Sequence, residues 1–276
     1  MILSYHPCFN GDKNNLCAGR QPTSMDLEDI QKADVVILPQ GCLKSLYNMA
    51  RENCRHVFPN YDAMFNYPGK LGQIELFRKT KTLHPDSNIF ANLKSFLSTC
   101  NFPPKVSQYQ FPFVFKFNWG GEGSTVYLIE SMNHFKEILD MTKRFEKTGQ
   151  AGFLLQEYIP DQNRVLRVVV IGKRIISYWR VKEKKDTFHV SLAKGAVIDH
   201  VLDPDIQEKA REIASDFCDK TFINLAGFDF LFANSSQGAK PLFLEINYFF
   251  GRRGFGGSQQ YYTILNSEIK KWLKRL

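Results

Sequence analysis

The sequence of 276 residues lacks a long apolar run. Apolar stretches such as Phe111 to Phe117 and Val168 to Ile171 are far shorter than the roughly 20 residues that a membrane-spanning helix needs. The sequence therefore predicts no membrane span. Met1 to Pro7 lack the basic region, apolar stretch and cleavage site of a signal peptide. We expect a cytoplasmic protein without a membrane partner.

The sequence also lacks a Cys-x-x-Cys pair, the usual signal of a zinc ribbon or a redox-active disulfide. Without a secretion signal a disulfide framework is not favoured, so buried or free thiols are expected. A metal or cluster site is the alternative. The six cysteines are Cys8, Cys17, Cys42, Cys54, Cys100 and Cys218.

Dense basic tracts are absent too, although the formal net charge is +8. Nucleic-acid-binding proteins usually cluster their lysines and arginines, so nucleic acid is not favoured as a partner. A basic surface that attracts anionic small molecules such as nucleotides is the preferred interpretation.

The first part of the chain predicts a small α/β domain. Val35 to Leu38 reads as a short buried strand followed by a turn, and Leu43 to Glu52 has helical spacing. Pro59 to Gly69 is rich in turn formers and aromatic residues, which is typical of a crossing between domains. We place the boundary near Tyr67, so the N-terminal domain covers residues 1–66.

Residues 67–276 predict helices, a lid and an antiparallel sheet. Helices are expected over Lys70 to Lys79 and over Asn88 to Leu97, the second with Ser87 as its N-cap. A small α+β lid is then predicted at about residues 100–150. It consists of a strand at Pro112 to Phe117, the glycine loop, a second strand at Val126 to Ile129 and a helix at Asn133 to Phe145. The C-terminal part, about residues 151–276, predicts two hairpins and two packed helices. The hairpins are Val165 to Ile171 with Arg174 to Val181, and Gly227 to Phe232 with Pro241 to Ile246; the helices are Asp205 to Lys220 and about Gln260 to Leu276.

Three polar side chains on the second hairpin predict a metal site. Asp229 lies in one strand, and Glu245 and Asn247 lie two residues apart on the same face of the other. Burying these polar groups among Phe and Leu side chains costs several kcal/mol unless a hydrogen-bond partner or a ligand compensates for the lost water. Two carboxylates and one amide oxygen suit Mg²⁺ together with phosphate oxygens. A strand end whose carboxylates face solvent is the alternative.

A lysine followed by a glycine loop predicts a phosphate contact. Lys116 ends a buried strand, and the loop contains Gly120, Gly121 and Gly123. Such a loop lets backbone N–H groups surround an anion while the ammonium adds a charge. The P-loop order is absent. A plain turn between hairpin strands is the alternative.

A strand that runs into a linker, Gln156 to Ile159, predicts a nucleotide-binding edge. Its backbone can offer donors and acceptors to a flat heterocycle, and Arg167 and Arg180 on the next strands can bind phosphate or carboxylate. Exposed strand arginines without a ligand are the alternative.

Taken in order, these motifs resemble the ATP-grasp superfamily, and most closely its RimK-type carboxylate–amine ligases. The resemblance covers roughly Tyr67 to the C-terminus and implies an α/β fold of the α+β ATP-grasp kind, with a pre-ATP-grasp N-terminal domain, a lid subdomain and a C-terminal antiparallel sheet with packed helices. The residues that carry it are Lys70, Lys116 and its glycine loop, Gln156-Glu157-Tyr158-Ile159, Arg167, Asp229, Glu245-x-Asn247 and Gly251.

The resemblance implies roles for these residues and two cofactors, ATP and Mg²⁺, with two metal ions expected and Mn²⁺ as a possible replacement. Lys70, Lys116, Gly120, Gly121, Glu122 and Gly123 are expected at the phosphates, Gln156, Glu157, Tyr158 and Ile159 at the adenosine, and Arg180, Ser191 and Lys194 elsewhere in the nucleotide site. Asp229, Glu245 and Asn247 are expected to ligate the metal, and Arg167 and Lys116 to act in catalysis.

The implied reaction joins a carboxylate to an amine through an acyl phosphate and releases ADP and phosphate. Neither step needs a protein nucleophile, and the sequence shows no Ser/His/Asp or Cys/His arrangement. The alternatives are an ATP-grasp kinase that phosphorylates a small molecule and a non-catalytic nucleotide-binding module. The expected partners are small-molecule or peptide acids and amines, and a homo-oligomer is left open.

Two positions depart from the RimK-type pattern. Val165 stands where these enzymes have an acidic residue, and Asp161 or Gln162 is expected to substitute for it. Ser191 replaces an asparagine before the Lys194-Gly195 pair, which retains an oxygen ligand of shorter reach.

The expected acid-binding residues are basic. Arg252 and Arg253 follow Gly251 in a glycine-rich loop that could receive an acidic substrate, although a solvated turn is the alternative. Arg20 belongs to an N-terminal loop with His6, Cys8, Asp12 and Lys13 that could help to select the substrate.

Overall fold

The computed structural model describes residues 1–99, 110–121, 123–160, 163–182, 195–235 and 238–276. Within these ranges the strands form three sheets, one parallel and two antiparallel. No helix in the described ranges has both the length and the apolar character needed to cross a membrane.

The N-terminal sheet is parallel, with the strand order β2-β1-β3-β4. Its apolar side chains pack with the flanking helices into a core of their own. The predicted strand and helix at Val35 to Leu38 and Leu43 to Glu52 are both present, within two residues at each end. The elements are β1 (Ile2–Ser4), β2 (Lys13–Asn14), α1 (Ser24–Gln31), β3 (Val35–Ile37), α2 (Lys44–Asn53) and β4 (His56–Phe58).

Two helices, α3 (Asp62–Asn66) and α4 (Gly69–Lys79), lead from this sheet to the rest of the chain. Gly69 has a φ of +69°, a conformation that glycine adopts at little cost. A Cβ at Gly69 would lie 2.9 Å from the backbone oxygen of Asn118. The start of α4 therefore packs directly against the loop that follows Lys116.

The lid sheet is antiparallel, with the order β5-β8-β6-β7. One face carries phenylalanines such as Phe113, Phe115 and Phe117, which pack under two helices. Because side chains alternate along a strand, Lys116 points to the opposite face. The elements are β5 (Ser87–Phe90), α5 (Leu93–Thr99), β6 (Phe113–Phe117), β7 (Val126–Ile129), α6 (Met132–Lys147) and β8 (Phe153–Glu157).

The helix predicted over Asn88 to Leu97 is wrong in its first half. Ser87–Phe90 is a strand that pairs with Phe153–Glu157, and Ser87 is fully buried rather than a helix cap. The helix begins only at Leu93, after Asn92, whose side chain accepts a hydrogen bond from the backbone of Ser95 at 2.8 Å. Tertiary pairing with β8 outweighs the local helical preference.

The C-terminal sheet is antiparallel, with the order β11-β10-β9-β12-β13. One face packs on α7 and α4, and the other packs on α8 and on apolar side chains of the N-terminal sheet. Both predicted hairpins are present. The elements are β9 (Arg164–Ile171), β10 (Arg174–Val181), β11 (Val197–Asp199), α7 (Pro204–Thr221), β12 (Leu225–Ser235), β13 (Gly238–Asn247), a 3-10 turn (Arg253–Phe255) and α8 (Ser258–Leu273).

A β-bulge at Leu244 interrupts the β12–β13 ladder. Asp229 pairs with Glu245, whereas the next residue, Phe230, pairs with Phe243. Phe243 and Ile246 therefore both face the core beneath α7, although they are three residues apart. The extra residue shifts the alternation, so that residues after the bulge point to the opposite face of the sheet from the one that regular pairing would give them. As a result Glu245 and Asn247 share the face of Asp229.

The aromatic core beneath α7 predicts a large stability effect. Phe243 is 0% exposed and contacts the rings of Phe217 and Phe230. Phe243→Ala should lower the free energy of unfolding by about 3–5 kcal/mol because it leaves a cavity. Urea denaturation followed by tryptophan fluorescence would measure it, since Trp179 lies in the same core. Val201→Ala, at an 81% exposed position, is the control and should change stability by less than about 0.5 kcal/mol.

Candidate active site

Asp229 is the centre of a buried charge cluster. It accepts hydrogen bonds from Arg167 Nε at 2.5 Å and Nη2 at 3.0 Å, and Arg180 Nη2 lies 2.7 Å from its Oδ1. Asp229 is 5% exposed and Arg167 is 6% exposed. Burial alone would raise the pKa of Asp229, but the two guanidinium groups outweigh burial and hold the pKa below its usual range. The carboxylate is therefore ionised.

Strand register brings these groups together. Asp229 lies opposite Arg167 on one side and opposite Glu245 on the other. Gly227 leaves room for the arginine, because a Cβ there would lie 3.1 Å from Arg167 Nη1. Four consecutive strands of one sheet, β10, β9, β12 and β13, thus hold two basic and two acidic side chains on a single face.

Glu245 and Asn247 complete an oxygen-rich group with Asp229. The amide nitrogen of Asn247 donates to Asp229 Oδ2 at 3.3 Å, so its amide oxygen is left for another partner. Glu245 is partly buried. In the described part of the chain no group of three or more His, Cys, Asp or Glu side chains could hold a metal ion. Two carboxylates and an amide oxygen are hard donors, which suit a cation that takes its remaining ligands from phosphate and water, as Mg²⁺ does.

Lys116 approaches this group from the lid sheet. Its side chain is 8% exposed, and no hydrogen-bond partner of its ammonium is found among the described residues. Burial lowers the pKa of Lys116 to about 8, with a smaller lowering from Lys70, while Glu245 and Asp229 act in the opposite direction. A buried cation without a partner indicates a place for an anion.

Lys70 lies at the start of α4 and holds the glycine loop. Its Nζ donates to the backbone oxygens of Trp119 at 2.8 Å and Gly120 at 3.0 Å. Burial lowers the pKa of Lys70, and the charge of Glu245 partly offsets this. Gly120 and Gly123 have φ of +80° and +77°, which explains the need for glycine there. Gly121 is exposed.

The segment predicted to bind adenosine lies at the end of β8. Gln156 is buried on the same face of the lid sheet as Lys116, and its amide donates to Ser87 Oγ at 2.9 Å. The backbone N–H of Glu157 is bonded to Asp86 at 2.8 Å, and its side chain is exposed. Tyr158 and Ile159 follow the strand and are partly buried.

Several predicted positions lie outside the described residues. They are Glu122 of the glycine loop, Ser191 and Lys194 of the predicted nucleotide site, and the two residues considered as replacements for an acidic ribose ligand, Asp161 and Gln162.

A cavity of about 480 Å³ lies at the junction of the N-terminal and C-terminal parts. Its wall residue Phe250 approaches the charge cluster, because a Cβ on Gly227 would lie 3.3 Å from Phe250 Cβ and 3.1 Å from Arg167 Nη1. Gln40 reaches it from the end of β3, donates to the backbone oxygen of Tyr248 at 3.1 Å and accepts from the hydroxyl of Tyr261 at 3.0 Å. The other lining residues are Phe249, Phe250, Gly251, Arg252, Arg253, Gly257 and Ser258.

Arg252 is held over two aromatic rings in this cavity wall. Its guanidinium lies 4.5 Å from the ring centre of Tyr262 and 5.0 Å from that of Tyr261. Burial, together with the charge of Arg252, lowers the pKa of His6 to about 4, so this histidine is neutral at physiological pH. The wall thus carries the positive charge of the arginines.

Arg20 lies away from this cavity. It binds both carboxylate oxygens of Asp26, at 2.6 and 2.8 Å, and Asp26 also accepts from Tyr5 at 2.9 Å. These contacts stabilise the start of α1. The structure therefore does not bring Arg20 together with Arg252 and Arg253.

Two residues near the site were missed by reasoning from sequence. Gln40 follows a parallel strand at its carboxyl end, which is where such sheets place ligands. Tyr178 lies opposite Arg167 and two residues before Arg180 on β10. Its alternation with Arg180 was a signal that could have found it.

Residues 70–270 match the family model of the RimK-like ATP-grasp domain. The chain belongs to this family. Membership implies the use of ATP and Mg²⁺, and the predicted resemblance is confirmed.

Two curated relatives match a segment of 137 residues. A probable alpha-L-glutamate ligase of Enterobacter sp. (strain 638) is 30% identical over this segment, which covers 49% of this chain and 42% of the relative. A protein of the same name from Pectobacterium carotovorum subsp. carotovorum (strain PC1) is 28% identical with the same coverage. The match thus spans less than half of these relatives.

Solved structures show the same fold. A RimK domain protein ATP-grasp from Sphaerobacter thermophilus DSM 20745 has a TM-score of 0.61 at 13% identity, over 85% of this chain and 81% of that one. D-alanine–D-alanine ligase from Bacillus anthracis complexed with ATP has a TM-score of 0.62 at 14% identity, over 97% and 90%. The predicted α/β class of the ATP-grasp kind is confirmed.

The low pKa of Lys116 predicts a pH-dependent nucleotide affinity. The ammonium is present below about pH 8 and is lost as the pH rises, while a bound phosphate raises the pKa. The affinity for a non-hydrolysable ATP analogue with Mg²⁺ should therefore weaken above pH 8, by up to about tenfold per pH unit. Calorimetry over that range would measure it. Lys116→Arg stays charged and should abolish the dependence; the same slope in this variant would contradict the assignment.

Proposed function

We propose that this protein is an ATP-dependent carboxylate–amine ligase. The observation that carries the proposal is the buried carboxylate of Asp229, which lies beside Glu245 and Asn247 in register and close to Lys116 of the lid. Basic side chains from the lid and the C-terminal sheet surround two carboxylates, which suits a polyphosphate with its Mg²⁺. Family membership and the ligase names of the relatives support it.

In the proposed reaction, a carboxylate oxygen of the acid attacks the γ-phosphorus of ATP, and ADP leaves with the electrons of the broken P–O bond. The neutral amine then attacks the acyl carbon of the acyl phosphate. Phosphate departs with the electrons of the C–O bond and takes a proton from the nitrogen, which leaves the amide. Arg167, Arg180 and Lys116 stabilise the charge on the transferring phosphoryl group.

Asp229, Glu245 and Asn247 would hold the metal, and Mg²⁺ would neutralise charge on the phosphate oxygens when bound. We propose two ions, with Mn²⁺ as an acceptable replacement; Asp229, whose oxygens accept from Arg167, Arg180 and Asn247, would exchange one of these donors for the metal. Lys70, Lys116 and the glycine loop would contact the phosphates, and Gln156 to Ile159 would line the adenosine pocket. These residues belong to an ATP-grasp unit that we place at residues 67–276, with its lid at about 100–150, after an N-terminal domain at 1–66.

We propose that one substrate is an acidic amino acid or peptide bound in the cavity beside the charge cluster. Arg252 and Arg253 give its wall positive charge. Ser258 is the first residue of α8, where backbone N–H groups are free to bind a carboxylate. The curated relatives are named as glutamate ligases, which agrees with an acidic substrate.

The metal-binding role predicts loss of turnover. In a screen of acids and amines for stimulated ADP release, Asp229→Asn and Glu245→Gln should each lower the rate by roughly a hundredfold or more, because each replaces a charged ligand of the metal that neutralises the phosphates with a neutral amide. Asp216→Asn, at an exposed position of α7, is the matched control. Full turnover in both variants would refute the assignment. A stable phosphorylated product without amide would identify a kinase instead.

The cavity predicts a selective effect of Arg252. Arg252→Ala should raise the KM for the acidic substrate by about tenfold or more, because a charged hydrogen-bond donor is lost. The KM for ATP should not change. Steady-state kinetics with the best substrate pair would show this, and Arg144→Ala, at an exposed position of α6, is the control. Equal rises in both KM values would instead indicate a general disturbance of the site.

A further inference from the structure

Tyr178 occupies a buried position among the charged groups of the site. It lies opposite Arg167 in the β9–β10 ladder, and Arg180 follows two residues later on the same face. Its side chain is 1% exposed. The phenol is close enough to Asp229 and both arginines to sense their charges. The proposed reaction assigns no role to this residue.

The tip of the Tyr178 ring reaches the loop that forms the cavity wall. A Cβ on Gly254 would lie 2.7 Å from the Tyr178 hydroxyl oxygen and closer still to its ring carbons. Gly254 therefore leaves the space that the phenol fills. Its neighbour Arg253 lines the cavity. Tyr178 thus lies between the Asp229 cluster and the cavity.

The hydroxyl of Tyr178 has no hydrogen-bond partner among the described residues. Its ring is held by apolar and aromatic contacts, with the ring centres of His200 and Phe255 at 5.6 and 6.3 Å. A hydroxyl on a nearly buried side chain that makes no hydrogen bond within the described residues is available to a ligand oxygen. Arg180 Nε is fully buried without a partner among the described residues. Both donors indicate a place where a ligand oxygen binds.

We propose that Tyr178 contacts the acid substrate and donates a hydrogen bond to an oxygen of its acyl group. The inference rests on the proposed function, because the carboxylate must meet the transferring phosphoryl group where the Asp229 cluster borders the cavity. The oxygen becomes part of an acyl phosphate and then carries negative charge when the amine attacks. A neutral phenol donates to it throughout and keeps its proton, so no proton is transferred to or from Tyr178.

The test uses acetyl phosphate, a short acyl phosphate, as the probe. Tyr178→Phe removes the hydroxyl and keeps the ring, so the melting temperature and the Kd for ADP with Mg²⁺ should not change. The Kd for acetyl phosphate in the presence of ADP and Mg²⁺ should rise about tenfold, the usual loss when a donor to a charged acceptor is removed. Inorganic phosphate lacks the acyl oxygen and should bind both proteins equally well. Isothermal calorimetry measures all three affinities.

Tyr127→Phe is the matched control, because this tyrosine lies in the lid and its hydroxyl contacts Met141 at 3.6 Å. It should bind acetyl phosphate as the unmodified protein does. Equal binding by the Tyr178→Phe variant, no binding by the unmodified protein, or an equal loss for inorganic phosphate or ADP would each overturn the proposal. If the predicted loss occurs but no acid and amine are joined, the contact stands and the ligase function fails.

Discussion

The ion pair between the buried carboxylate of Asp229 and two guanidinium groups is the interaction on which the site depends. Removing three charges from water costs several kcal/mol per ion, so the cluster persists only while its geometry is good. Arg167, Arg180 and Asp229 come from three neighbouring strands, β9, β10 and β12. Any slip of register would separate them and leave a buried charge unpaired. The sheet and the charge cluster therefore stabilise the same arrangement.

The cluster is not neutral. Lys70 and Lys116 add to the two arginines, and only Asp229 and Glu245 oppose them within the group. The lowered pKa of Lys116 shows what burial of this excess positive charge costs. A bound phosphate would offset that cost and keep Lys116 protonated. The excess positive charge of the site therefore favours the binding of an anion over that of a metal ion by itself. A metal ion would then enter together with the phosphate that shares it.

Alternation and the order of motifs were sufficient to predict much of the site. Lys116 stands out as the polar position in a phenylalanine strand, and Asp229, Glu245 and Asn247 stand out in the same way. What alternation could not predict is the bulge at Leu244, because an extra residue leaves no local trace in the sequence. Ser87 was misread for a similar reason: its pairing with β8 is a long-range contact. Arg20 looked like a free loop residue, and only the folded chain shows Asp26 beside it.

The cavity shows why substrate choice does not follow from the family match. Gln40 lies before the matched residues 70–270. Its side-chain amide nevertheless donates to the backbone oxygen of Tyr248, just after β13, and accepts from the hydroxyl of Tyr261 on α8. A Cβ at Gly41 would lie 2.7 Å from Cζ of Phe249 and closer still to its Cε1, so the N-terminal part of the chain also shapes the apolar side of the wall. The groups proposed to bind phosphate come from α4, the lid sheet and the C-terminal sheet, whereas the cavity wall combines residues 249–258 with Gln40 from the N-terminal part of the chain. If the proposed acid binds in this cavity, Gln40 gives the N-terminal part a direct influence on which acid is accepted.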